Sequence, residues 1–293
     1  MKVILSRKGM DSENGGIPSP IIQSKQGNWK FYSLPIPTIN SDIRYDDLYL
    51  FDDIKVSSFI NDLGLKSRKY EFCHLDPDIR ESYLKERPIG WKRNFGQVKS
   101  AQTHLENNQI GIGDVFLFFG WFKRAEYVNG RFQYIKDKDY PNGFHAIYSY
   151  LQIKEIYKPN IQKTPEWLDY HPHVKYYNED EFNNDNNTIY VASESFNYPK
   201  HFNKNGSISF VFSDDLILTK KRQSNRTLWE FPLELHPNYG VKLSYNAIDR
   251  WAVENNKAIL KSASKGQEFI FTDVEAIVEK WCIDLIKMHS VTD

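Results

Sequence analysis

The stretch of sequence that decides the fold is residues 113–122, which read Gly-Asp-Val-Phe-Leu-Phe-Phe-Gly-Trp-Phe. An almost unbroken apolar run of this length is typical of a strand buried on both faces of a sheet. Residues 131–135 and 145–156 continue the strand pattern after it, joined by a turn-rich segment at 136–143. These segments predict an antiparallel meander, either as an open sheet or curled into a barrel.

Shorter segments surround the meander. Helical spacing is clearest near the C-terminus, where Thr272 or Asp273 can cap an amphipathic helix. The apolar face of that helix consists of Val274, Ile277, Val278, Trp281, Leu285 and Met288. Other predicted helices are residues 53–63, 99–107 and 248–255, and other predicted strands are 2–6, 31–34, 70–75, 189–193, 209–212 and 216–219.

Together these elements predict an α+β fold with a mixed, mostly antiparallel sheet or curled barrel, peripheral helices and a C-terminal helix. Residues 176–187 are rich in Asn and acids and predict a surface loop. We interpret residues 1–293 as one domain with a soft subdivision near 159–164.

Charge and cysteine content narrow the function classes. The 293 residues include 38 Lys plus Arg and 38 Asp plus Glu, so the formal net charge is zero. This balance excludes a strongly cationic protein that coats nucleic acid, and we expect weak binding to bulk duplex DNA at physiological salt. Two distant cysteines, Cys73 and Cys282, predict a reducing cytoplasm. With no apolar window of 18 residues, no membrane-spanning helix is expected.

The first candidate site follows the N-terminal strand, where Arg7 and Lys8 lead into a glycine-rich loop. A guanidinium can bind phosphate oxygens in a fork, and glycines allow backbone N–H groups to approach an anion. We expect Arg7 and Lys8 to hold phosphate, with Asp11 orienting Lys8. A simple β-turn with solvated charges explains the same spacing.

The second candidate is residues 74–78, His-Leu-Asp-Pro-Asp. At a strand end, His74 and Asp76 point to the same side, so they can form an acid/base pair or supply two ligands to a divalent metal. Asp78 can join them after the turn. The alternative is a turn whose carboxylates cap a helix at residues 79–86.

The third candidate is residues 85–99, where five cations are interleaved with Trp91 and Phe95. This pattern suits a phosphate backbone and an exposed base. Gln97, Gln102 and His104 follow, and a glutamine amide can pair with an adenine edge. A solvated loop whose aromatic residues enter the core is the alternative, and it applies more strongly to the basic residues 220–226, which contain no aromatic side chain.

The fourth candidate is His171-Pro172-His173. Two histidines can bind a metal only if further ligands come from His74, Asp76 or His145. We favour a turn with one packed and one exposed histidine. No metal ligand and no cofactor is therefore assigned from the sequence.

Taken together, the motifs resemble the nucleotide modification associated domain 3 family over nearly the whole chain. The departures are Met10 in place of an aromatic residue, Lys265 in place of Arg, and an insert at residues 178–187. The resembling motifs are MKVILSRKGMDS at 1–12, GGIPSPI at 15–21, LPIP at 34–37, HLDPD at 74–78, GW at 90–91, FGQ at 95–97, AQTHL at 101–105, GDVFLFFGWF at 113–122, YLQ at 150–152, WLDYHPH at 167–173, YVA at 190–192 and GQEF at 266–269.

The resemblance implies a phage or bacterial protein associated with DNA base hypermodification or its handling. Its Gly113-Asp114 start of an apolar strand is also similar to PUA-like barrels that bind modified bases, an analogy at the level of fold. The implied partners are a nucleotide or DNA with a modified base, together with other modification-system proteins, and no membrane.

Three hypotheses follow from these observations. The first is an enzyme that transfers a group to a nucleotide or to a base flipped out of DNA. The second is a non-catalytic PUA-like reader of modified bases, and the third is a phage-defence effector that degrades nucleotides or modified DNA. Under the first, the site comprises His74, Asp76 and Asp11 for catalysis, Arg7, Lys8, Arg93, Gln97, Gln102 and His104 for nucleotide and phosphate binding, and Trp91 for base stacking.

Overall fold

A computed structural model describes residues 1–65, 70–197, 204–263 and 267–290. Lys265 and Gly266, which belong to the last motif above, lie outside these residues. The strands are β1 (Val3–Arg7), β2 (Ser19–Gln23), β3 (Trp29–Phe31), β4 (Ile36–Pro37), β5 (Tyr49–Phe51), β6 (Ile54–Lys55), β7 (Cys73–His74), β8 (Asn94–Gln97), β9 (Val115–Val128), β10 (Arg131–Tyr134), β11 (Phe144–Tyr157), β12 (Thr188–Ala192), β13 (Ser207–Ser209), β14 (Leu228–Pro232), β15 (Lys242–Leu243), β16 (Trp251–Glu254), β17 (Lys257–Lys261) and β18 (Glu268–Thr272). The α-helices are α1 (Val56–Asp62), α2 (Lys99–Asn107), α3 (Pro172–Lys175) and α4 (Ile277–His289).

The main sheet has eleven strands and is built around β9. Its longest path runs β15-β18-β1-β9-β11-β12-β8, and β2, β3, β10 and β13 branch from it. β9 is parallel to β1 and β2, whereas the other pairings are antiparallel. In the part of the chain described, no pairing joins β15 to β8. The prediction of an α+β fold with a mixed, mostly antiparallel sheet is confirmed, and the sheet is not closed into a barrel.

The apolar stretch of β9 is buried on both faces, as its sequence predicts. Phe116 and Phe118 pack on Phe95, with ring centroids 4.9 and 5.2 Å away. Phe119, on the opposite face, packs on Trp229 at 5.1 Å. Burying each such ring stabilises the fold by roughly 1.5–3 kcal/mol, which makes β9 the centre of the main core.

Local periodicity predicted several other elements well. The structure confirms helix α2 at Lys99–Asn107, helix α1 within the predicted 53–63, and strand β11 within one residue of 145–156. These segments carry a consistent apolar period over several turns or pleats, which is the most reliable local signal.

The helix predicted at residues 248–255 is wrong. Trp251–Glu254 form strand β16, which pairs with β17 across a two-residue turn. Asn255 and Asn256 have φ values of +48° and +59°, as the type I′ hairpin turn requires, and asparagine tolerates this region. The turn therefore overrides the weak helical pattern.

One strand prediction and one loop prediction also need correction. Residues 216–219 are not a strand, because Asp214–Leu216 form a short 3-10 helix and only isolated bridges follow. The glycine- and proline-rich segment after β1 contains strand β2, in which Pro20 accepts a hydrogen bond from Tyr32 N through its carbonyl. Proline lacks only the donor, so it does not prevent this pairing.

The C-terminal helix is confirmed, but it begins at Ile277 and its buried face differs from the predicted one. Val274 precedes the helix and is 84% exposed, and Met288 is 63% exposed. The N-cap residue is Ala276 and not the predicted Thr272 or Asp273, although Asp273 Oδ2 accepts from Val278 N at 2.7 Å. The longest described helix has 13 residues, and none combines the length and apolar character needed to cross a membrane.

Candidate functional site

A cavity of about 630 Å³ opens beside the main sheet, where several elements meet. The end of β1, strand β7, the junction of β8 with α2, the start of β18 and the segment after α3 all contribute to its walls. Representative lining residues are Arg7, Lys8, His74, Asp76, Gly96, Val98, His173, Phe182 and Glu268.

The parallel pairing of β1 with β9 brings the two predicted phosphate-binding residues to this cavity. Arg7 lies opposite Phe119, and Lys8 N donates to Phe119 O at 2.8 Å. The approach is so close that a Cβ on Gly120 would lie 2.7 Å from Lys8 O. Glycine at position 120 therefore allows Lys8 to reach the cavity.

One wall of the cavity holds a buried cluster of three histidines around one aspartate. The Asp76 carboxylate lies 3.6 Å from His74 Nε2, 3.7 Å from His171 Nε2 and 4.0 Å from His173 Nε2. His171 and His173 are 0% and 2% exposed, so the prediction of one packed and one exposed histidine is wrong. The start of α3 turns both rings inward.

Hydrogen bonds fix the proton positions on two of these rings. Asn187 Nδ2 donates to His173 O and to Asn160 Oδ1, so Asn187 Oδ1 is the acceptor for His173 Nδ1 at 2.6 Å. His173 therefore directs a lone pair on Nε2 towards Asp76. His171 Nδ1 instead accepts from His173 N at 3.2 Å, which places the proton of a neutral His171 ring on Nε2, facing Asp76.

His74 stands out because neither ring nitrogen finds a hydrogen-bond partner among the described residues, although the side chain is buried. A neutral imidazole has one donor and one acceptor. Leaving a buried polar group without a partner costs about 1–3 kcal/mol.

The cluster favours an ionised Asp76 carboxylate. Burial would raise the pKa of Asp76, but His171, His74 and His173 lower that pKa to about 2. Burial lowers the pKa of His74 and, more strongly, that of His173. Asp76 also accepts a hydrogen bond from Gly96 N at 2.8 Å, which fixes its carboxylate.

Only glycine fits at position 96, because the rings of His171 and His173 pack closely against its backbone. A Cβ at that position would lie 2.6 Å from His173 Cδ2 and 2.9 Å from His171 Cε1. Both rings are held by their own hydrogen bonds and cannot move aside freely. In the Phe-Gly-Gln motif at residues 95–97, the glycine thus allows the backbone to contact the cluster directly.

On another wall of the cavity, Glu268 holds three neighbouring side chains by hydrogen bonds. Its Oε1 accepts from Gln97 Nε2 at 2.6 Å, from Lys8 Nζ at 2.9 Å and from Ser6 Oγ at 3.1 Å. Lys8 also lies 4.3 Å above the Phe95 ring. Lys8 is thus paired with Glu268, while the expected partner Asp11 accepts from Glu13 N and Asn14 N in its own turn.

A potential anion-binding corner lies beside these residues. Residues 98–101, the start of helix α2, line the cavity, and the N-cap Val98 has no side chain that can cap the helix. The first N–H groups of a helix lack partners within it and favour negative charge. Within the described chain, no side chain bonds to the Arg7 guanidinium, which lines the same cavity.

The predicted surface loop is in fact part of the site. Phe182 is 0% exposed and packs on His173 at 4.6 Å, and Asn187 orients the same ring. Asn186 accepts from Lys99 N and donates to Lys99 O, both at 2.9 Å. Lys99 has a φ of +57°, so this clamp maintains a strained backbone at the start of α2.

Six of the ten residues predicted from the sequence line this cavity: Arg7, Lys8, Asp11, His74, Asp76 and Gln97. The other four do not. Gln102 accepts from Tyr190 OH at 3.0 Å, His104 contacts Ser244, and Arg93 donates to Ile79 O. Trp91 donates to Asp78 at 3.0 Å.

Asp78 forms a second buried cluster next to the first. Arg87 donates to both of its carboxylate oxygens, at 2.6 and 3.0 Å, and Tyr170 OH donates at 2.6 Å. The Arg87 guanidinium also lies 4.3 Å from the centroid of the Trp91 ring. This arrangement ties Asp78 and Trp91 into the structure. The helix expected after Asp78 is only a 3-10 turn at Glu81–Tyr83.

Five of the eight other cations in the two basic segments also lie beside a carboxylate in the described chain. Lys85, Lys92 and Arg93 each lie within 4.0 Å of a carboxylate. Lys220 and Arg222 have acidic partners as well. Neither segment therefore presents a row of free cations.

The sequence analysis missed several site residues. Glu268 lay in a strand that was not predicted, and Phe182 and Asn187 lay in a segment interpreted as a loop. The signal available for Glu268 was the GQEF motif, and the signal for the histidines was the HxH spacing. Tyr245, 4.5 Å from the His104 ring, also lines the cavity and carries no motif.

Comparison with known proteins gives one positive result. The model of the family described as nucleotide modification associated domain 3 matches residues 2–272. No curated protein and no solved structure matches the chain.

Proposed function

Because the chain belongs to the nucleotide modification associated domain 3 family, we propose that it is an enzyme that modifies a nucleotide or a nucleotide base bound in this cavity. One observation carries the proposal. Arg7 and the first turn of α2, which together can bind an anion, line the same cavity as the buried His74–Asp76 pair. Binding and chemistry can therefore meet on one ligand.

We assign phosphate binding to Arg7 and to the backbone N–H groups of Ser100 and Ala101, because Lys99 N already donates to Asn186 Oδ1. A guanidinium and helix N–H groups are both well suited to phosphate oxygens. Lys8 adds a weaker attraction, because Glu268 offsets its charge at 2.9 Å. Arg7 is thus the side chain on which phosphate affinity depends most.

The rest of a nucleotide can lie against the apolar and aromatic lining. Phe182 and Ile36 line the cavity, and Tyr245 presents a half-exposed ring that can stack on a base. Tyr245 takes the stacking role predicted for Trp91, whose indole is held by Asp78. Glu268 Oε2 is a buried acceptor with no partner in the described chain, available to a base or sugar donor.

We assign proton transfer to His74 and Asp76. They line the cavity, and their atoms are close enough to exchange protons with a bound group directly or through one water. A cavity of this size and polarity suits a single nucleotide, so a base within DNA must be flipped out to enter it.

The first test is binding of the four deoxynucleoside monophosphates, measured by calorimetry. We expect Arg7→Gln to bind at least about tenfold more weakly, the loss of one charge-assisted contact. Arg131→Gln is the matched control, because Arg131 is exposed on β10. Equal affinity of Arg7→Gln and the unmodified protein contradicts the proposed phosphate site.

The second measurement separates an enzyme from a reader. Nucleosides from cells producing the protein or its His74→Ala variant are compared by mass spectrometry. We expect a modified nucleoside that is absent with the variant. Binding without any change in the nucleosides, under every condition, supports the non-catalytic reader instead.

A further inference from the structure

The geometry points to a metal centre: we propose that His74, Asp76 and His173 bind one divalent ion of the first transition row. The role of the ion in a reaction rests on the function proposed above, but the binding of the ion does not. Binding of the ion follows from the residues themselves and can be tested without any nucleotide.

The three ligand atoms converge without rearrangement of the backbone. One atom from each side chain lies within 4.8 Å of the other two. His74 Nε2 and His173 Nε2 lie 3.6 and 4.0 Å from Asp76 Oδ2. Ligands bound to one ion at about 2.1 Å in tetrahedral geometry lie about 3.4 Å apart. Asp76 and each histidine therefore need to approach by a few tenths of an ångström, and the two histidine nitrogens by up to about 1.4 Å.

The His74 ring, which has no hydrogen-bond partner among the residues described, is the observation that indicates a ligand. Both of its nitrogens are buried and without hydrogen bonds among the residues described. A metal ion on Nε2 accounts for one of them in a way that no neighbouring protein atom does. Buried polar groups without partners are rare unless an ion or water completes them.

Neighbouring residues hold the ligands as metal sites require. Asn187 accepts from His173 Nδ1 at 2.6 Å, which fixes the tautomer with Nε2 free to bind a metal. Gly96 N donates to the other carboxylate oxygen of Asp76 at 2.8 Å. His171 faces that oxygen through Nε2–H and therefore supports Asp76 without acting as a ligand.

The ligand set favours a particular class of ion. Two imidazoles and one carboxylate suit Zn²⁺, Fe²⁺, Co²⁺ or Mn²⁺, whereas Mg²⁺ and Ca²⁺ prefer oxygen ligands. Three protein ligands leave coordination positions open, as in catalytic and not in structural centres. The open positions face the cavity.

The charge of the cavity supports the same conclusion. Its lining contains three cations and five carboxylates, a formal net charge of −2 with neutral histidines. The cations are Arg7, Lys8 and Lys99, and the carboxylates are Asp11, Glu13, Asp76, Glu181 and Glu268. One divalent ion brings this formal charge to zero and so strengthens the attraction of the cavity for a phosphate.

The ion deepens the function proposed above. It supplies positive charge for a substrate oxygen and lowers the pKa of a bound water, which then takes over the proton chemistry assigned to His74 and Asp76. Nucleotide affinity is therefore expected to rise when the ion is bound.

The test is direct metal binding to the full chain after treatment with chelator. We expect one Co²⁺ or Zn²⁺ per chain by elemental analysis, a Co²⁺ visible absorption band, and no stable binding of Mg²⁺. His173→Gln and Asp76→Asn should lose this binding, and Asn187→Ala should weaken it about 10–100-fold. His236→Gln, at a buried histidine outside the cavity, is the matched control and should bind normally.

Folding of each variant is checked by circular dichroism, so that loss of structure is not mistaken for loss of a ligand. The proposal is overturned if the unmodified protein binds none of the four transition-row ions, or if folded His173→Gln binds Co²⁺ as the unmodified protein does. Metal binding without nucleotide binding refutes only the proposed function. Nucleotide modification that persists in chelated protein overturns only the role in the reaction that we assign to the ion.

Discussion

Two buried polar clusters are built from the same two segments of chain, yet they differ in how completely their polar atoms are satisfied. Residues 74–78 give Asp76 to one cluster and Asp78 to the other, and residues 170–173 give His173 to the first and Tyr170 to the second. Asp78 accepts four hydrogen bonds from Arg87, Trp91 and Tyr170. Around Asp76, the imidazole nitrogens stay 3.6–4.0 Å away.

This difference separates a structural cluster from a functional one. A buried network whose members satisfy each other needs no ligand and rigidifies the fold. A buried network whose polar atoms lie this far apart is stable only because the surrounding fold holds it. Such a network is stabilised most when a ligand binds between those atoms. Residue type alone does not distinguish the two, since both contain an aspartate next to cationic or cation-forming side chains.

The largest effect is expected from breaking the satisfied cluster. Asp78→Ala leaves the buried Arg87 guanidinium without its carboxylate, and such a loss costs about 3–5 kcal/mol of unfolding free energy. Denaturant unfolding followed by fluorescence measures it. Asp53→Ala, which removes an exposed partner of Lys85, is the control and should leave the midpoint unchanged. A small loss for Asp78→Ala would mean that the comparison of the clusters is mistaken.

An intermediate effect is expected from crowding the unsatisfied cluster. Gly96→Ala places a methyl group 2.6–2.9 Å from the imidazoles of His173 and His171. Overpacking of this kind costs roughly 1–3 kcal/mol, and the displaced rings should no longer bind Co²⁺. The same substitution at Gly111, where a Cβ meets nothing within 4 Å, is the control. Normal Co²⁺ binding by folded Gly96→Ala would show that the rings can shift without consequence.

A smaller effect is expected at a histidine outside both clusters. Burial, with Arg226 and Arg7 nearby, lowers the pKa of His145 to about 3, and its Nδ1 accepts from Trp229 Nε1 at 3.1 Å. The unfolded chain titrates near pH 6.5, so below that pH only the unfolded state gains the proton. The unfolding free energy therefore falls by about 1.4 kcal/mol from this group between about pH 7.5 and 5.5.

His145→Gln keeps an acceptor for Trp229 and removes the titration. Urea unfolding at the two pH values should show a pH-dependent loss that is smaller by about 1.4 kcal/mol than in the unmodified protein. An unchanged loss would mean that His145 takes up its proton in the folded state as well.

Local patterns predicted much of the fold because they report on local physics. The apolar run of β9 could only be buried, and the period of α2 matched its final bounds. The pattern failed at residues 248–255, where a two-asparagine turn decides the structure, and at residues 176–187, where polar composition hides Phe182 and Asn187. In both places a few residues outweigh the average character of the segment.

The candidate site could be predicted only in part for the same reason. His74 and Asp76 are two residues apart, so strand geometry alone suggests that they converge. His173 lies about a hundred positions further along the chain, and only the packing of α3 against Gly96 brings it to Asp76. Gln102 and His104 share a promising motif, but only the first turn of α2 lines the cavity, and their side chains contact Tyr190 and Ser244.

The sequence by itself determined the buried central strand, the family of the chain and most of the residue types available for chemistry, because these depend on composition and short spacing. Only the tertiary structure decided which aspartate is hydrogen-bonded by its neighbouring side chains and which has imidazoles beyond hydrogen-bond distance. That choice depends on whether side chains from distant segments come within 2.6–3.0 Å of the carboxylate, as at Asp78, or stay at 3.6–4.0 Å, as at Asp76. Asp76 and Asp78 are two positions apart in sequence, and the fold alone gives them different surroundings.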